Sequence, residues 1–107
     1  MTQSTMSDIF ISYAREDRDH AEKLAAAFEA EGWTVWWDRI IPAGRTWDEV
    51  IEEAIDGARC VVVLWSRHSI GSHYVRTEAE EGRQHKILIP VLIEDVNPLA
   101  NRSRQIK

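Results

Sequence analysis

The sequence predicts an α/β fold in which one parallel sheet of flavodoxin-like strand order 2-1-3-4 carries helices on both faces. Four short apolar runs alternate along the chain with segments whose apolar residues recur at helical spacing. The later runs, residues 60–65 and 87–93, are apolar almost throughout, as strands covered on both faces are. Alternating strands and helices imply parallel pairing with right-handed crossovers.

The first half of the chain predicts a strand, a helix and a second strand. Residues 9–13 are apolar and rich in β-branched and aromatic side chains. Residues 17–31 carry apolar side chains at helical spacing, with Asp17 suited to cap the helix start and Gly32 suited to its end. Residues 33–37, rich in tryptophan, follow as the second strand.

The second half begins with a loop, residues 38–45, which contains a proline and a glycine. Thr46 and Glu49 have the spacing of a capping box, and the helix that they open ends at Gly57. The third strand, residues 60–65, comes next. A further helix and the fourth strand complete the pattern.

This strand order creates a cleft. The chain winds one way after strand one and the other way after strand three, and doubly wound sheets bind ligands at that switch point. The cleft is lined by the residues that leave these strands, residues 12–17 and 65–72. The helix after strand three carries Tyr74 and Glu78 four residues apart, on one face. An aromatic ring and a carboxylate are therefore predicted beside the cleft.

Composition and charge exclude several classes of protein. With 107 residues, of which 44% are hydrophobic, the chain predicts one globular domain, residues 8–107, after a polar and disordered segment, residues 1–7. A net charge of -5 argues against non-specific binding to nucleic acids or membranes. No apolar run approaches the ~18 residues that cross a bilayer. The single cysteine, Cys60, predicts a buried thiol and fits a reducing cytoplasm.

Motifs of common nucleotide and metal chemistry are missing from the sequence. It has neither the glycine-rich dinucleotide fingerprint nor a P-loop, which argues against dehydrogenases and kinases. The four histidines have no metal-ligand spacing with Cys60, so no metal site is expected. A response-regulator receiver shares the element order but needs a phosphorylatable aspartate after strand three, where this chain has Ser66.

Three segments stand out by their order and spacing: IFISYARED at residues 9–17, WWDRIIPAG at residues 36–44 and SHYVRTE at residues 72–78. They resemble the motifs of the Toll/interleukin-receptor (TIR) domain, most closely those of its bacterial branch. The resemblance covers about residues 8–98. Because the family continues through a fifth strand and a further helix, we expect an incomplete domain. Its fourth strand, where Pro90 favours an edge position, would then be an aggregation hazard unless it is covered.

The resemblance implies an activity. In bacteria and plants the family includes enzymes that cut nicotinamide from NAD, with a glutamate at the position that Glu78 matches. The nicotinamide leaving group is already positively charged, so no strong acid is needed, and one carboxylate can stabilise the oxocarbenium-like transition state. NAD is then the substrate, and no cofactor is expected. Tyr74 stands where the family motif more usually has tryptophan.

The resemblance also implies a set of site residues. Arg15 is suited to a pyrophosphate and Tyr13 to packing beside a ring. The loop at residues 38–45 matches the mobile BB loop of the family, which forms part of the NAD cleft and makes contacts between TIR domains. The implied catalytic residue is Glu78, and the implied substrate-binding residues are Ser12, Tyr13, Ala14, Arg15, Asp38, Ile41, Gly44, Ser66 and Tyr74.

Alternatives remain open at this point. The first hypothesis is a cytoplasmic NAD glycohydrolase that forms linear or cyclic ADP-ribose, becomes active in a homo-oligomer or filament, and serves bacterial immune signalling. The second is a non-enzymatic adaptor that recruits other TIR domains. The third is a domain that binds a nucleotide without cleaving it. Glu78 itself has the alternative of an ordinary solvated helix position beside Glu80 and Glu81.

Overall fold

The computed structural model describes residues 7–38 and 43–94. The segment predicted to be disordered, residues 1–7, lies outside this part of the chain except for Ser7. The strands are β1 (Ile9–Ser12), β2 (Val35–Trp36), β3 (Cys60–Trp65) and β4 (Leu88–Leu92). The helices are α1 (Arg18–Ala30), α2 (Trp47–Gly57) and α3 (His73–Gln84), and 3-10 turns cover Arg15–Asp17 and Ser69–Gly71.

The sheet confirms the predicted fold class. Its order is β2-β1-β3-β4, and every pairing is parallel. In the register of β1 and β3, Ile9 pairs with Cys60 and Ser12 with Val63. Because parallel strands end at the same edge, the chain leaving β1 and the chain leaving β3 meet beside each other.

Two apolar cores lie on the two faces of the sheet, because successive side chains of a strand point to opposite faces. On one face Phe10, Val61 and Val63 pack with α2 and α3. On the other face Ile11 and Val62 pack with α1. The nearly continuous apolar character of β3 therefore has the predicted cause, which is cover on both sides, and β1 is covered in the same way.

The two outer strands differ from the sequence prediction. The second strand covers only Val35–Trp36, because Trp33 is half exposed and stacks on Phe28 at the end of α1. In β4, Ile89 is 47% and Leu92 is 57% exposed within the described part of the chain. The cover on both faces that its apolar sequence predicted is not found there.

The helix starts show how local sequence fixes α2 and α3. Thr46 forms the predicted capping box, in which its hydroxyl accepts from the Glu49 backbone N–H and the Glu49 carboxylate accepts from the Thr46 N–H. This hydrogen bond and the neighbouring Arg45 hold the pKa of Glu49 below its usual value. Ser72 caps α3 by accepting from the Val75 N–H.

A glycine allows α3 to lie close to the sheet. A Cβ atom added at Gly82 would stand 3.0 Å from the Cβ of Val61, whereas carbon atoms normally approach to about 3.5–4.0 Å. Val61 is fully buried in the central strand β3, which is paired on both sides. The small size of Gly82 thus sets the distance from α3 to β3, and with it the depth at which Glu78 sits.

We expect Gly82→Ala to destabilise the protein. Alanine favours a helix by up to ~1 kcal/mol, but overpacking a rigid core costs about 1–3 kcal/mol. Urea unfolding measures the change, with Gly71→Ala as the control because a Cβ there meets nothing within 4 Å. In a Val61→Ala background the same substitution should become neutral or stabilising. A rise in stability for Gly82→Ala in the unaltered chain would contradict the steric argument.

Candidate active site

A cavity of about 670 Å³ opens where the chain leaves β1 and β3. This is the position at which doubly wound sheets bind ligands, and the volume lies within the ~300–1,000 Å³ of small-molecule sites. The residues that line it come from the β1–α1 connection, the first residue of α1, the start of α2, the β3–α3 loop and α3. They are Tyr13, Ala14, Arg15, Glu16, Arg18, Trp47, His68, Ser72, Tyr74 and Glu78.

Glu78 lies at the inner end of this cavity. Its side chain comes from the second turn of α3 and is only 3% exposed, although it lines the cavity. The Ser12 hydroxyl, at the end of β1, donates a 2.6 Å hydrogen bond to Glu78 Oε1. Glu78 is therefore not a solvated helix position. A carboxylate that is nearly buried needs such a donor, since burying an unpaired charge is costly.

Ser12 has a different position from the one implied by the resemblance. It is fully buried and does not line the cavity, so it lies behind Glu78 and not beside a ligand. Its hydroxyl proton is directed at the carboxylate. In this structure Ser12 orients Glu78.

An aromatic wall stands next to Glu78. Tyr74, one helical turn before it, is 59% exposed and meets Trp47 edge to face, with ring centroids 5.8 Å apart. Both rings line the cavity. The position of Trp47 at the start of an amphipathic helix favours a core position over a ligand contact. Its ring does pack against the core under α2, but it has a second side on the cavity.

The opposite wall comes from the β1–α1 connection. Tyr13 and Ala14 are buried residues that line the cavity, and the Tyr13 hydroxyl donates to the Trp37 carbonyl oxygen at 2.9 Å. Arg15 is exposed and lines the cavity, and its pyrophosphate contact stays a prediction. Arg18, which the sequence analysis did not single out, also lines the cavity.

Arg18 connects this wall to the start of the loop at residues 38–45. Its guanidinium lies 4.8 Å from the centroid of the Trp37 ring, and its Nη1 is 3.4 Å from Asp38 Oδ1. The hydrogen bond to Asp38 raises the pKa of Arg18. Asp38 thus lies near the cavity through Arg18, but it is not among the residues that line it.

Two other loop residues were implied as substrate contacts. Gly44 has a φ of +83°, a conformation that favours glycine, and it lies outside the cavity lining. Ile41 lies outside the described residues. The structure therefore brings together Glu78, Tyr74, Tyr13, Ala14 and Arg15 around one cavity, and it leaves Gly44 apart from them.

Ser66 and Asp17 form a buried pair behind the cavity. The Ser66 hydroxyl donates to Asp17 Oδ2 at 2.5 Å, and neither residue lines the cavity. The implied substrate contact of Ser66 has no counterpart in this position. The predicted side-chain cap at Asp17 is also wrong, because Asp17 occupies the N-cap position of α1 without making a capping hydrogen bond. Its carboxylate is used by Ser66 instead.

Two further properties concern the ionisable and apolar residues. Among residues 7–38 and 43–94, no group of three His, Cys, Asp or Glu side chains is arranged to hold a metal ion. No helix in the same part of the chain has both the length and the apolar character to cross a bilayer. Cys60 is half buried, less than the sequence predicted, and burial raises the pKa of its thiol.

The fold and the cavity define an α/β domain with a cavity at the switch point of a flavodoxin-like sheet. A family described as "TIR domain" matches residues 9–107. The chain belongs to the TIR-domain family, as the three motifs indicated. No curated protein sequence is significantly similar to the chain.

Three solved structures show what this domain is similar to. The TIR domain of the Toll-related receptor TRR-2 from Hydra magnipapillata has a TM-score of 0.78 and 25% identity, over 85% of this chain and 74% of that one. The TIR domains of the activated Roq1 resistosome, which recognises the pathogen effector XopQ, have a TM-score of 0.75 and 24% identity over 92% and 63%. A metazoan TIR-STING receptor from C. gigas has a TM-score of 0.72 and 24% identity over 91% and 34%. The chain therefore spans less than two thirds of the last two.

We expect Ser12→Ala to destabilise the protein by about 1–3 kcal/mol, because it removes a donor from a nearly buried carboxylate. Urea unfolding measures this loss. The double variant Ser12→Ala/Glu78→Ala should lose less than the sum of the two single losses, since the second change removes the acceptor. Strict additivity would show that the Ser12 hydroxyl does not stabilise Glu78.

Proposed function

We propose that this TIR domain is an NAD glycohydrolase, which releases nicotinamide and forms ADP-ribose or a cyclic ADP-ribose. The observation that carries the proposal is the carboxylate of Glu78, held by Ser12 at the inner end of a cavity of about 670 Å³. The match of Glu78 to the glutamate of the NAD-cleaving relatives gives the reaction class. NAD is the substrate in this proposal, and no cofactor takes part.

The reaction breaks the bond between C1′ of the ribose and the pyridinium nitrogen. The bonding electron pair goes to that nitrogen, so nicotinamide leaves as a neutral molecule and C1′ becomes an oxocarbenium-like centre. Water adds to C1′ and loses a proton, which gives ADP-ribose. If an adenine nitrogen of the same molecule adds instead, a cyclic product forms. Glu78 lowers the barrier by placing negative charge beside the positive charge that develops on the ribose.

The walls of the cavity suit the two ends of this substrate. Tyr74 and Trp47 present aromatic surface near Glu78, where a flat and cationic pyridinium ring is bound favourably. Arg15 and Arg18 stand on the wall formed by the β1–α1 connection, where guanidinium groups suit a pyrophosphate. In this arrangement the scissile bond lies beside Glu78 at the inner end. The phosphates lie beside Arg15 and Arg18, on a wall that also carries Glu16.

Self-assembly is the proposed means of activation. One of the similar structures is an activated resistosome that contains TIR domains. In this chain the loop at residues 38–45 begins beside the cavity, at Asp38 and Arg18. We propose that this loop contacts a second TIR domain and that the contact completes the cavity. A cytoplasmic location and a role in bacterial immune signalling belong to the same proposal.

A second candidate function is that of an adaptor without catalysis. It is favoured by the likeness to the TIR domain of a Toll-related receptor, the most similar of the three structures by TM-score. An adaptor would bind other TIR domains and leave NAD unchanged. Incubation of concentrated protein with NAD, followed by chromatography of nicotinamide, separates the two functions.

We expect Glu78→Gln to lower nicotinamide release by about 100-fold or more, because glutamine keeps the shape but not the charge that stabilises the transition state. The control is Glu81→Gln, on the same helix and outside the cavity lining. Circular dichroism should show the same fold for both variants. Equal activity of wild type and Glu78→Gln would remove Glu78 from the mechanism, and no nicotinamide release from wild type at high concentration would favour the adaptor.

We expect Gly44→Val to impair self-association and NAD cleavage together. The φ of +83° at Gly44 is strained for a β-branched residue, so the loop should change its conformation. Sedimentation velocity measures association, and nicotinamide release over a dilution series measures activity. Ala43→Val is the matched control, since it places a valine at the neighbouring residue, which is also exposed but has no positive φ. Full turnover of a dilute, monomeric Gly44→Val chain would show that assembly is not required.

A further inference from the structure

The pair of Asp17 and Ser66 has no part in the proposed chemistry, yet it is among the most buried polar contacts of the domain. Asp17 is 5% exposed and Ser66 is fully buried. They are 49 residues apart in the sequence and are joined by the hydrogen bond from Ser66 Oγ to Asp17 Oδ2. Burying a carboxylate is unfavourable unless hydrogen bonds compensate for the lost hydration. The hydrogen bond from Ser66 supplies such compensation for the buried carboxylate of Asp17.

Each member of the pair lies in a chain segment that forms one wall of the cavity, although neither side chain lines the cavity itself. Asp17 ends the 3-10 turn Arg15–Asp17, which places Arg15 and Glu16 in the cavity lining. Ser66 opens the loop that leads from β3 through His68, a residue lining the cavity, to α3. The hydrogen bond consequently joins the wall with Arg15 to the wall with His68, from behind.

The Ser66 hydroxyl also organises its own loop. It accepts from the backbone N–H groups of His68 and Ser69, each at 3.1 Å, while its proton goes to Asp17. Ser69 in turn donates to the Leu64 carbonyl oxygen at 2.7 Å and accepts from the Ser66 N–H at 2.7 Å. The loop between β3 and α3 is thus fixed by side-chain hydroxyls, and its attachment to the other wall runs through Asp17.

Asp17 does not cap its own helix with its side chain, although it occupies the N-cap position of α1. An aspartate at the N-cap position normally accepts a hydrogen bond from the first turn of its own helix, as Ser72 does for α3. At α1 the Asp17 side chain makes no such bond. The carboxylate reaches away from its helix toward β3, which separates this residue from an ordinary helix cap.

We propose that Asp17 and Ser66 are positioning residues, which tie the two walls of the cavity together and thereby set its affinity for the pyrophosphate half of the ligand. The identity of that ligand rests on the proposed function. The tie itself does not, because it concerns only the relative position of the two walls. When the tie is broken, the turn that carries Arg15 is no longer held to the loop that carries His68, and ligand binding suffers before the chemistry at Glu78 does.

The test uses the whole chain and the variants Asp17→Ala, Asp17→Asn and Ser66→Ala. Asparagine keeps an acceptor oxygen of the same size, so Asp17→Asn should restore what Asp17→Ala loses. The control is Thr34→Ala, which breaks another hydroxyl–carboxylate contact, that of Thr34 with Asp8. Asp8 directly precedes β1 in the sequence, and neither residue lines the cavity.

Amide hydrogen exchange across the tie is the first measurement. In Asp17→Ala the amides of His68 and Ser69 should exchange faster, and in Ser66→Ala the amides of Asp17 and Arg18 should do so, because each change frees the opposite wall. Thr34→Ala should leave all four amides unchanged. Unaltered exchange on the opposite wall in both variants would overturn the proposal whether or not the protein cleaves NAD.

Steady-state kinetics with NAD is the second measurement. KM should rise about tenfold in Asp17→Ala while kcat stays within about twofold, and Asp17→Asn should recover most of the loss. A fall in kcat with constant KM would overturn the positioning role. A wild-type chain that does not cleave NAD would overturn the proposed function, and the exchange result would then decide the tie alone. If Ser66→Ala does not fold, Asp17→Ala and Asp17→Asn carry both measurements.

Discussion

The hydrogen bond from Ser12 to Glu78 joins the last residue of β1 to the middle of α3, and the geometry of the cavity depends on it. It requires that β1 and β3 run parallel and in register, so that α3 returns over the end of β1. It also requires that α3 lie close to the sheet, which the missing side chain of Gly82 permits. The site and the fold thus share one set of constraints, since a change in helix depth would move the carboxylate.

The cavity is supported by two nearly buried carboxylates, each of which accepts from a serine hydroxyl. Glu78 has Ser12 as its donor, and Asp17 has Ser66. A serine hydroxyl supplies a donor without adding a second charge. For Glu78, which lines the cavity, a carboxylate is useful to a cationic ligand. For Asp17, which does not, the contact holds two loops together.

Much of the fold and part of the site follow from sequence. Local sequence patterns, which extend over a few residues, are enough to predict the strands β1 and β3 and the capping box at Thr46. Helical spacing likewise predicts that Tyr74 and Glu78 share one face. The contact of Asp17 with Ser66 was not predictable, because a local rule assigned Asp17 to its own helix and only the assembled sheet offers the distant partner. The cavity side of Trp47 was likewise hard to predict from a position that favours the core, since a large ring at a helix start can bury one side and expose the other.

Pro90 limits how the outer strand β4, with its exposed Ile89 and Leu92, could pair with another strand. In a parallel strand, the backbone N–H and C=O of one residue point to the same neighbouring strand, and those of the next residue point to the other side. The Val61 N–H donates to the Ile87 carbonyl oxygen, and the Ile93 N–H donates to the Trp65 carbonyl oxygen. The odd-numbered residues of β4 therefore bond to β3. Pro90 therefore turns its missing N–H group away from β3, toward the side of β4 on which no strand lies among residues 7–38 and 43–94. An extended peptide that docked along this side would find no donor at its midpoint. The ladder would break at Pro90, so the most apolar margin of the sheet is also a poor template for growth into a fibril.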